Sequence, residues 1–242
     1  FDAVINLNGL DISRGRWTNK QKRMIIDSRT FPTRFLVEKM SALKNKPEVF
    51  LSSSAVGYYG DRNDDILTES AENGACFISK VCRRWENRSR PAEEEGIRTV
   101  QLRIGIVLTP AGGALQRMQL PFKMGCGVRL SHGQQYMSWI SMDDILSALL
   151  FLIDTPGVRG PVNLTAPNPV TNAHFSKALA GVFSKKVLFV MPALLARIMW
   201  GQMGEETLLM SARVMPEKLL SHGFKFQHET VEGAMRDMLG RN

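Results

Sequence analysis

The 242 residues predict an α/β fold: a parallel sheet with helices on both faces, and a small α-rich appendage at the C-terminal end. Three observations carry that prediction. Short apolar runs rich in β-branched residues alternate with longer segments that open on helix N-cap residues. An apolar fraction of 44% can build a sizeable core within one large domain. The stretch "LSSSAVGYYG" (51–60) stands where one apolar run ends, and in α/β proteins ligands sit beyond the carboxyl ends of strands.

The elements follow in order. "DAVINL" (2–7) reads as a buried parallel strand closed by Asn8-Gly9. Residues 18–44 read as helix, with Thr18 as N-cap and Pro32 breaking or restarting it. "EVFLSS" (48–53) is the next strand, a helix covers 76–95, and "RTVQLRIGIVL" (98–108) is a further strand. After a glycine-rich loop, "SMDDILSALLFLID" (141–154) opens on Ser141 and two first-turn acids, both helix-start signals. "GPVNLTA" (160–166) is a short strand and "TNAHFSKALAGVF" (171–183) a capped helix. The domain limits are set at 1–185 and 186–242; after "KVLFVMP" the tail reads as helices over 193–203, 205–220 and 229–239.

Composition narrows the function classes. The net charge of +8 comes from short scattered clusters without interleaved aromatics, which reads as solvated helix faces and not as a nucleic-acid surface. Cys76, Cys82 and Cys126 form no CxxC pair, which points to a reducing, cytoplasmic setting. The four histidines show no metal-ligand spacing. No apolar run approaches the ~18 residues of a membrane span, and the first residues carry no signal-peptide pattern.

Several motifs occur in a telling order: "DAVINLNG", "RW" (16–17), "SSSAVGYYG", "VCRRWE" (81–86), "LRIGIVL" (102–108), "PFKMGCG" (121–127), "YMSWISMDDI" (136–145), "APNPVT" (166–171) and "ARVMPEKLLSHGFKF" (212–226). Together they resemble the atypical short-chain dehydrogenase/reductase proteins of the epimerase family, relatives of nucleotide-sugar epimerases and dehydratases with a small C-terminal domain. The resemblance runs over essentially the whole chain. It implies a Rossmann-like fold of sheet order 3-2-1-4-5-6-7 that binds NAD or NADP and acts on a small molecule, nucleotide-sugar-like in class. Self-association is left open; nucleic acid and membrane are not expected as partners.

The resemblance also implies site residues. Active relatives use a Ser or Thr at the end of strand five and a Tyr-x-x-x-Lys pair on the next helix; the Tyr moves the proton and the Lys tunes it and holds the ribose. Ser54 matches the first role and Lys80 the last, but Cys76 stands where the Tyr is expected. Tyr58 or Tyr59 is left to supply a phenol from the loop, or to pack. Leu7, Asn8 and Gly9, with Ser52 and Ser53, are expected to line the cofactor, and Arg103 and Gly105 to stand beside it. Arg103 is open between a ligand contact and a structural ion pair, because a lone Arg in an apolar strand needs a partner either way. Two functions follow: an NAD(P)-dependent oxidoreductase or epimerase-like enzyme, or a non-catalytic dinucleotide-binding protein that lost its Tyr.

The family's opening GxxGxxG turn, which cradles the pyrophosphate, has no match in these 242 residues. The expectation is therefore a chain that starts at the family's strand four. Such a fragment, alone, is expected to bind neither NAD nor NADP measurably and to associate or aggregate through "AVINL" (3–7) as an uncharged edge.

Overall fold

The computed structural model describes residues 1–240. It opens with β1 (Ala3–Asn6), α1 (Asn19–Ser41), β2 (Val49–Ala55), the two-residue β3 (Ile66–Leu67), α2 (Phe77–Ser89), a short α3 (Pro91–Glu94) and β4 (Arg98–Ile104). Next come β5 (Ile106–Leu108), α4 (Gly113–Lys123), β6 (Gly127–Leu130), β7 (Tyr136–Met137), β8 (Trp139–Ser141), α5 (Met142–Asp154), β9 (Gly160–Leu164), β10 (Val170–Thr171) and α6 (Asn172–Val182). The tail holds β11 (Val187–Met191), α7 (Ala193–Trp200), β12 (Arg213–Val214), α8 (Glu217–Ser221) and α9 (Val231–Leu239).

Four of these strands form one parallel sheet in the order β1-β2-β4-β9. That is chain order, as strands 4-5-6-7 of a Rossmann-like sheet run. Alternation along the strands divides the core into two layers. Val49, Leu51, Val100 and Leu102 face α5, packing with Ile145, Leu149 and Leu152. Phe50 faces the other way, against Val37 and Met40 of α1 and Ala92 of α3. β1 stands at one edge of the sheet, with Ile5 and Leu7 exposed beside it.

Three elements depart from their sequence reading. Pro32 neither breaks nor restarts α1, which runs through it from Asn19 to Ser41 behind the Thr18 cap. Side chains take up the carbonyls around the turn that lacks a proline N–H: Thr30 Oγ1 donates to the Ile26 carbonyl, Thr33 Oγ1 to that of Arg29, and Arg29 Nη1 to that of Ile25. The strand expected over 98–108 splits at Gly105. Its second half leaves the sheet to pair with β8, and a Cβ at Gly105 would stand 2.6 Å from the Ser138 carbonyl oxygen. The helix expected over 205–220 does not form as one piece. A π-helical turn ends at Leu208, and Pro216 keeps the preceding residues extended, so that β12 pairs with β3 before α8 begins. The tail is stitched into the sheet domain at two places, since β11 also pairs in parallel with β6.

Candidate functional site

β2 delivers its three serines to the carboxyl end of the sheet, all of them buried. Ser52 and Ser54 share the α1/α2 face and Ser53 points to the opposite one, as strand alternation requires. Ser54 Oγ donates to Glu86 Oε1 at 2.7 Å. Glu86, on the inner side of α2, also takes Arg103 Nε at 2.9 Å and Arg103 Nη2 at 3.0 Å. Arg103 Nη1 donates to the Tyr59 hydroxyl at 3.0 Å and to the Glu69 carbonyl at 3.1 Å, and Tyr59 donates to Asn163 Oδ1 at 2.6 Å. Every side chain from Ser54 to Asn163 in this chain of bonds is buried, so it is an internal network. Burial alone would lower the guanidinium of Arg103, but Glu86 and Tyr59 outweigh it and hold the group above its ordinary value.

That geometry settles where the expected residues stand. Ser54 and Tyr59 are committed to protein partners and closed to solvent. Arg103, open between two roles in the sequence, is a structural ion pair. Gly105 faces the Ser138 carbonyl, so the space beside it is filled by protein. Lys80 is exposed on the outer side of the first turn of α2. The residues that α2 buries include Ile78, Val81, Cys82 and Trp85, and a Cβ on Gly57 would touch Ile78 and Cys82. An i,i+4 pair does face the strand end, but it is Ile78 and Cys82, with neither phenol nor ammonium. Burial pushes the Cys82 thiol up to about 12, with the charge of Glu86 adding to it, so it stays protonated at neutral pH.

Two groups remain open at this end of the sheet. Tyr58 is half-buried and packs against the cluster that includes Trp17, Ile78 and Met203. Its ring covers Arg103, with Cζ 3.5 Å from the centroid. Its hydroxyl has no hydrogen-bond partner among the described residues and is not sealed from solvent. Leu7, Asn8 and Gly9, just past β1, are exposed. Asn6 Oδ1 accepts from the Asn8 backbone N–H at 3.2 Å and from Asn8 Nδ2 at 3.0 Å, which fixes the turn. A cavity of about 610 Å³ lies where the tail meets the start of α2, lined by Asp61, Cys76, Arg197, Gln202, Glu205 and Glu206. Glu206 Oε2 accepts the Ile78 backbone N–H at 2.9 Å and so closes one of the open donors of α2.

The pattern of known proteins agrees with this sheet and cleft. The NAD dependent epimerase/dehydratase family matches residues 1–164, and a domain of unknown function (DUF1731) matches residues 191–238. The chain belongs to the NAD-dependent epimerase/dehydratase family. An epimerase family protein of Mycobacterium bovis is 42% identical over 97% of this chain and 77% of its own length. One from Staphylococcus haemolyticus is 36% identical over 99% of this chain and 80% of its own. Among solved structures, a human epimerase family protein with NADPH superposes with a TM-score of 0.94 at 25% identity, over 100% of this chain and 83% of that one. A nucleoside-diphosphate sugar epimerase from Corynebacterium glutamicum gives 0.80 at 32% identity, over 99% of this chain and 46% of that one.

The residues present fit a dinucleotide at the carboxyl end of the sheet. An exposed turn held by Asn6 follows β1, and Gly9 lies so close to Arg29 that a Cβ there would stand 3.3 Å from Cζ. Sequence reasoning missed Glu86, Glu69, Asn163, Cys82 and Arg29. A signal existed for Glu86: it is an acid placed i+8 from Ile78 and i+4 from Cys82, on the buried stripe of α2. Paired with the lone arginine of β4, it could have been read as that arginine's partner.

Proposed function

We propose that this chain is an NAD(P)-dependent oxidoreductase acting on a small carbonyl or hydroxyl compound, nucleotide-sugar-like in class, with Tyr58 as its proton donor and acceptor. The observation that carries the reading is the Tyr58 hydroxyl, which has no hydrogen-bond partner among the described residues and is open to solvent between the ends of the strands and the tail. When bound, the nicotinamide supplies or accepts the hydride; the O–H of Tyr58 gives its proton to the carbonyl oxygen that the hydride leaves electron-rich. Leu7–Gly9 form the cofactor side, and the cavity bordered by Cys76, Arg197 and Gln202 forms the substrate side. The setting is cytoplasmic, in keeping with three free thiols; among the described residues no helix is long and apolar enough to cross a membrane.

The test follows NADPH absorbance with a panel of carbonyl substrates. Tyr58→Phe lowers turnover by about 100-fold or more, the usual weight of a positioned acid, and leaves NADPH affinity unchanged. A second reading, dinucleotide binding without turnover, is favoured by Ile78 and Cys82 at the inner face of α2. NADPH binding with no loss of absorbance on any substrate would establish that second reading.

A further inference from the structure

Arg29 is a half-buried cation at this site with no ion-pair partner among the described residues. Its guanidinium is partly buried, yet among the described residues no carboxylate forms a salt bridge with it. Nη1 donates to the Ile25 carbonyl at 3.0 Å and to Ser28 Oγ at 3.3 Å, and Nη2 to the Leu10 carbonyl at 3.1 Å. A guanidinium carries five N–H donors, so Nε–H and one Nη2–H stay uncommitted. The Trp85 ring lies 5.1 Å from Cζ, and Gly9 backs onto the same group, where a Cβ would stand 3.3 Å from Cζ and crowd the guanidinium. Burial holds Arg29 below its ordinary value, and the protonated thiol of Cys82 beside it brings no counter-charge at neutral pH. A desolvated cation whose remaining donors face no acid is costly unless an anion arrives from outside the protein.

Its position says which anion. Arg29 touches Gly9 and Leu10, directly beyond β1, and lies within electrostatic reach of Cys82, which neighbours Ser54 and Ala55 at the end of β2. That is the crevice outside the carboxyl ends of two adjacent parallel strands, where dinucleotides lie. α2 brings no ammonium there, since Lys80 faces solvent. We propose that Arg29 binds a phosphoryl oxygen of the nicotinamide dinucleotide and supplies the cofactor-holding cation that α2 does not. The turn "NGL" (8–10) and the continuous helix α1 place it for that contact. The inference rests on the dinucleotide reading given above.

The experiment is an equilibrium titration of the full chain with NADPH, carried to millimolar nucleotide at several salt concentrations, with apo melting as the control for folding. In Arg29→Gln the Kd rises about tenfold or more, and the slope of log Kd against log salt becomes shallower as one screened charge pair is lost. Arg29→Lys keeps the slope and loses only part of the affinity, because the charge remains and the fork does not; this variant also carries the test if the glutamine chain melts early. Equal Kd and equal slope in wild type and Arg29→Gln would overturn the proposal. So would an equal loss of affinity for nicotinamide riboside, which has no phosphate. A wild-type chain that takes no NADPH at millimolar concentration overturns the dinucleotide reading itself, an outcome distinct from the other two.

Discussion

Two arginines lie near the same end of the same sheet in opposite circumstances. Arg103 comes from a strand, is 2% exposed, and spends four N–H donors on Glu86, Tyr59 and the Glu69 carbonyl. Arg29 comes from a helix, is partly open, and bonds only carbonyls and a hydroxyl. One is held above its ordinary pKa and the other below it, because one has an acid and the other has only burial. The difference separates scaffold from site. A cation whose charge is matched inside the protein holds the loops in place, and a cation left unmatched at a cleft is available to a ligand.

The sharpest way to break this comparison is to remove the acid from Arg103. Glu86→Gln keeps the shape of the side chain and leaves a guanidinium buried without its counter-charge, which costs about 3–5 kcal/mol. Urea denaturation should show that loss as a lower midpoint with an unchanged slope. Replacing both partners with apolar residues, Glu86→Leu with Arg103→Met, should recover a large part of it, because no unpaired charge is then buried. A loss below about 1 kcal/mol in Glu86→Gln would mean that Arg103 does not depend on Glu86, and the two arginines would no longer differ in kind.

The two regions also differ in how far they could be read in advance. The sheet was legible because "DAVINL", "EVFLSS" and "GPVNLTA" are short apolar runs separated by capped helices, a local pattern that survives into the fold. The demand for a partner at Arg103 was legible too, since a charge in an apolar strand has no alternative. Which partner it takes was harder to read: Glu86 is 17 residues away and meets it only when α2 lies over β4. The phase of α2 was hard to read for a related reason. Counting four residues from Cys76 gives Lys80, but Cys76 is the cap outside the helix and the buried stripe begins at Ile78. Arg29 gave no signal at all, being one basic residue among several on a helix whose exposed turns look alike in sequence.

Alkaline pH probes the scaffold side through its buried phenol and thiol. Burial pushes the Tyr59 phenol up to about 12 from 10.0, outweighing Arg103 and Asn163, which favour the ionised form. A pKa raised by folding means that the neutral group stabilises the fold fully below the unfolded value and loses that effect as the pH rises through the folded one. Stability should therefore fall between about pH 10 and pH 12, by roughly 2–3 kcal/mol from this residue. Cys82, raised from 9.0 to about 12, adds a decline that starts lower. Denaturant midpoints measured across that range should show Tyr59→Phe with a flatter limb above pH 10 and Cys82→Ala with a flatter one from pH 9 upward. A wild-type profile that stays level to pH 12 would mean that the buried network admits the phenolate.

The smallest expected effect is at Lys80, and it tests the helix phase on which the whole comparison depends. Lys80 is exposed, its backbone N–H caps back to the Cys76 carbonyl, and no acid forms a salt bridge with its ammonium among the described residues. The neighbours that α2 does bury, Ile78, Ser79, Val81 and Cys82, already fill its inner face. Lys80→Met should then change stability by no more than about 0.5 kcal/mol, the range of an ordinary surface substitution. NADPH affinity should stay within about twofold, under 0.5 kcal/mol. A tenfold loss of affinity at unchanged melting would place the Lys80 ammonium on the cofactor. α2 would then have to present its first turn to the cleft when nucleotide is bound, and the cation role assigned to Arg29 would be shared between a helix that looks closed and one that looks open.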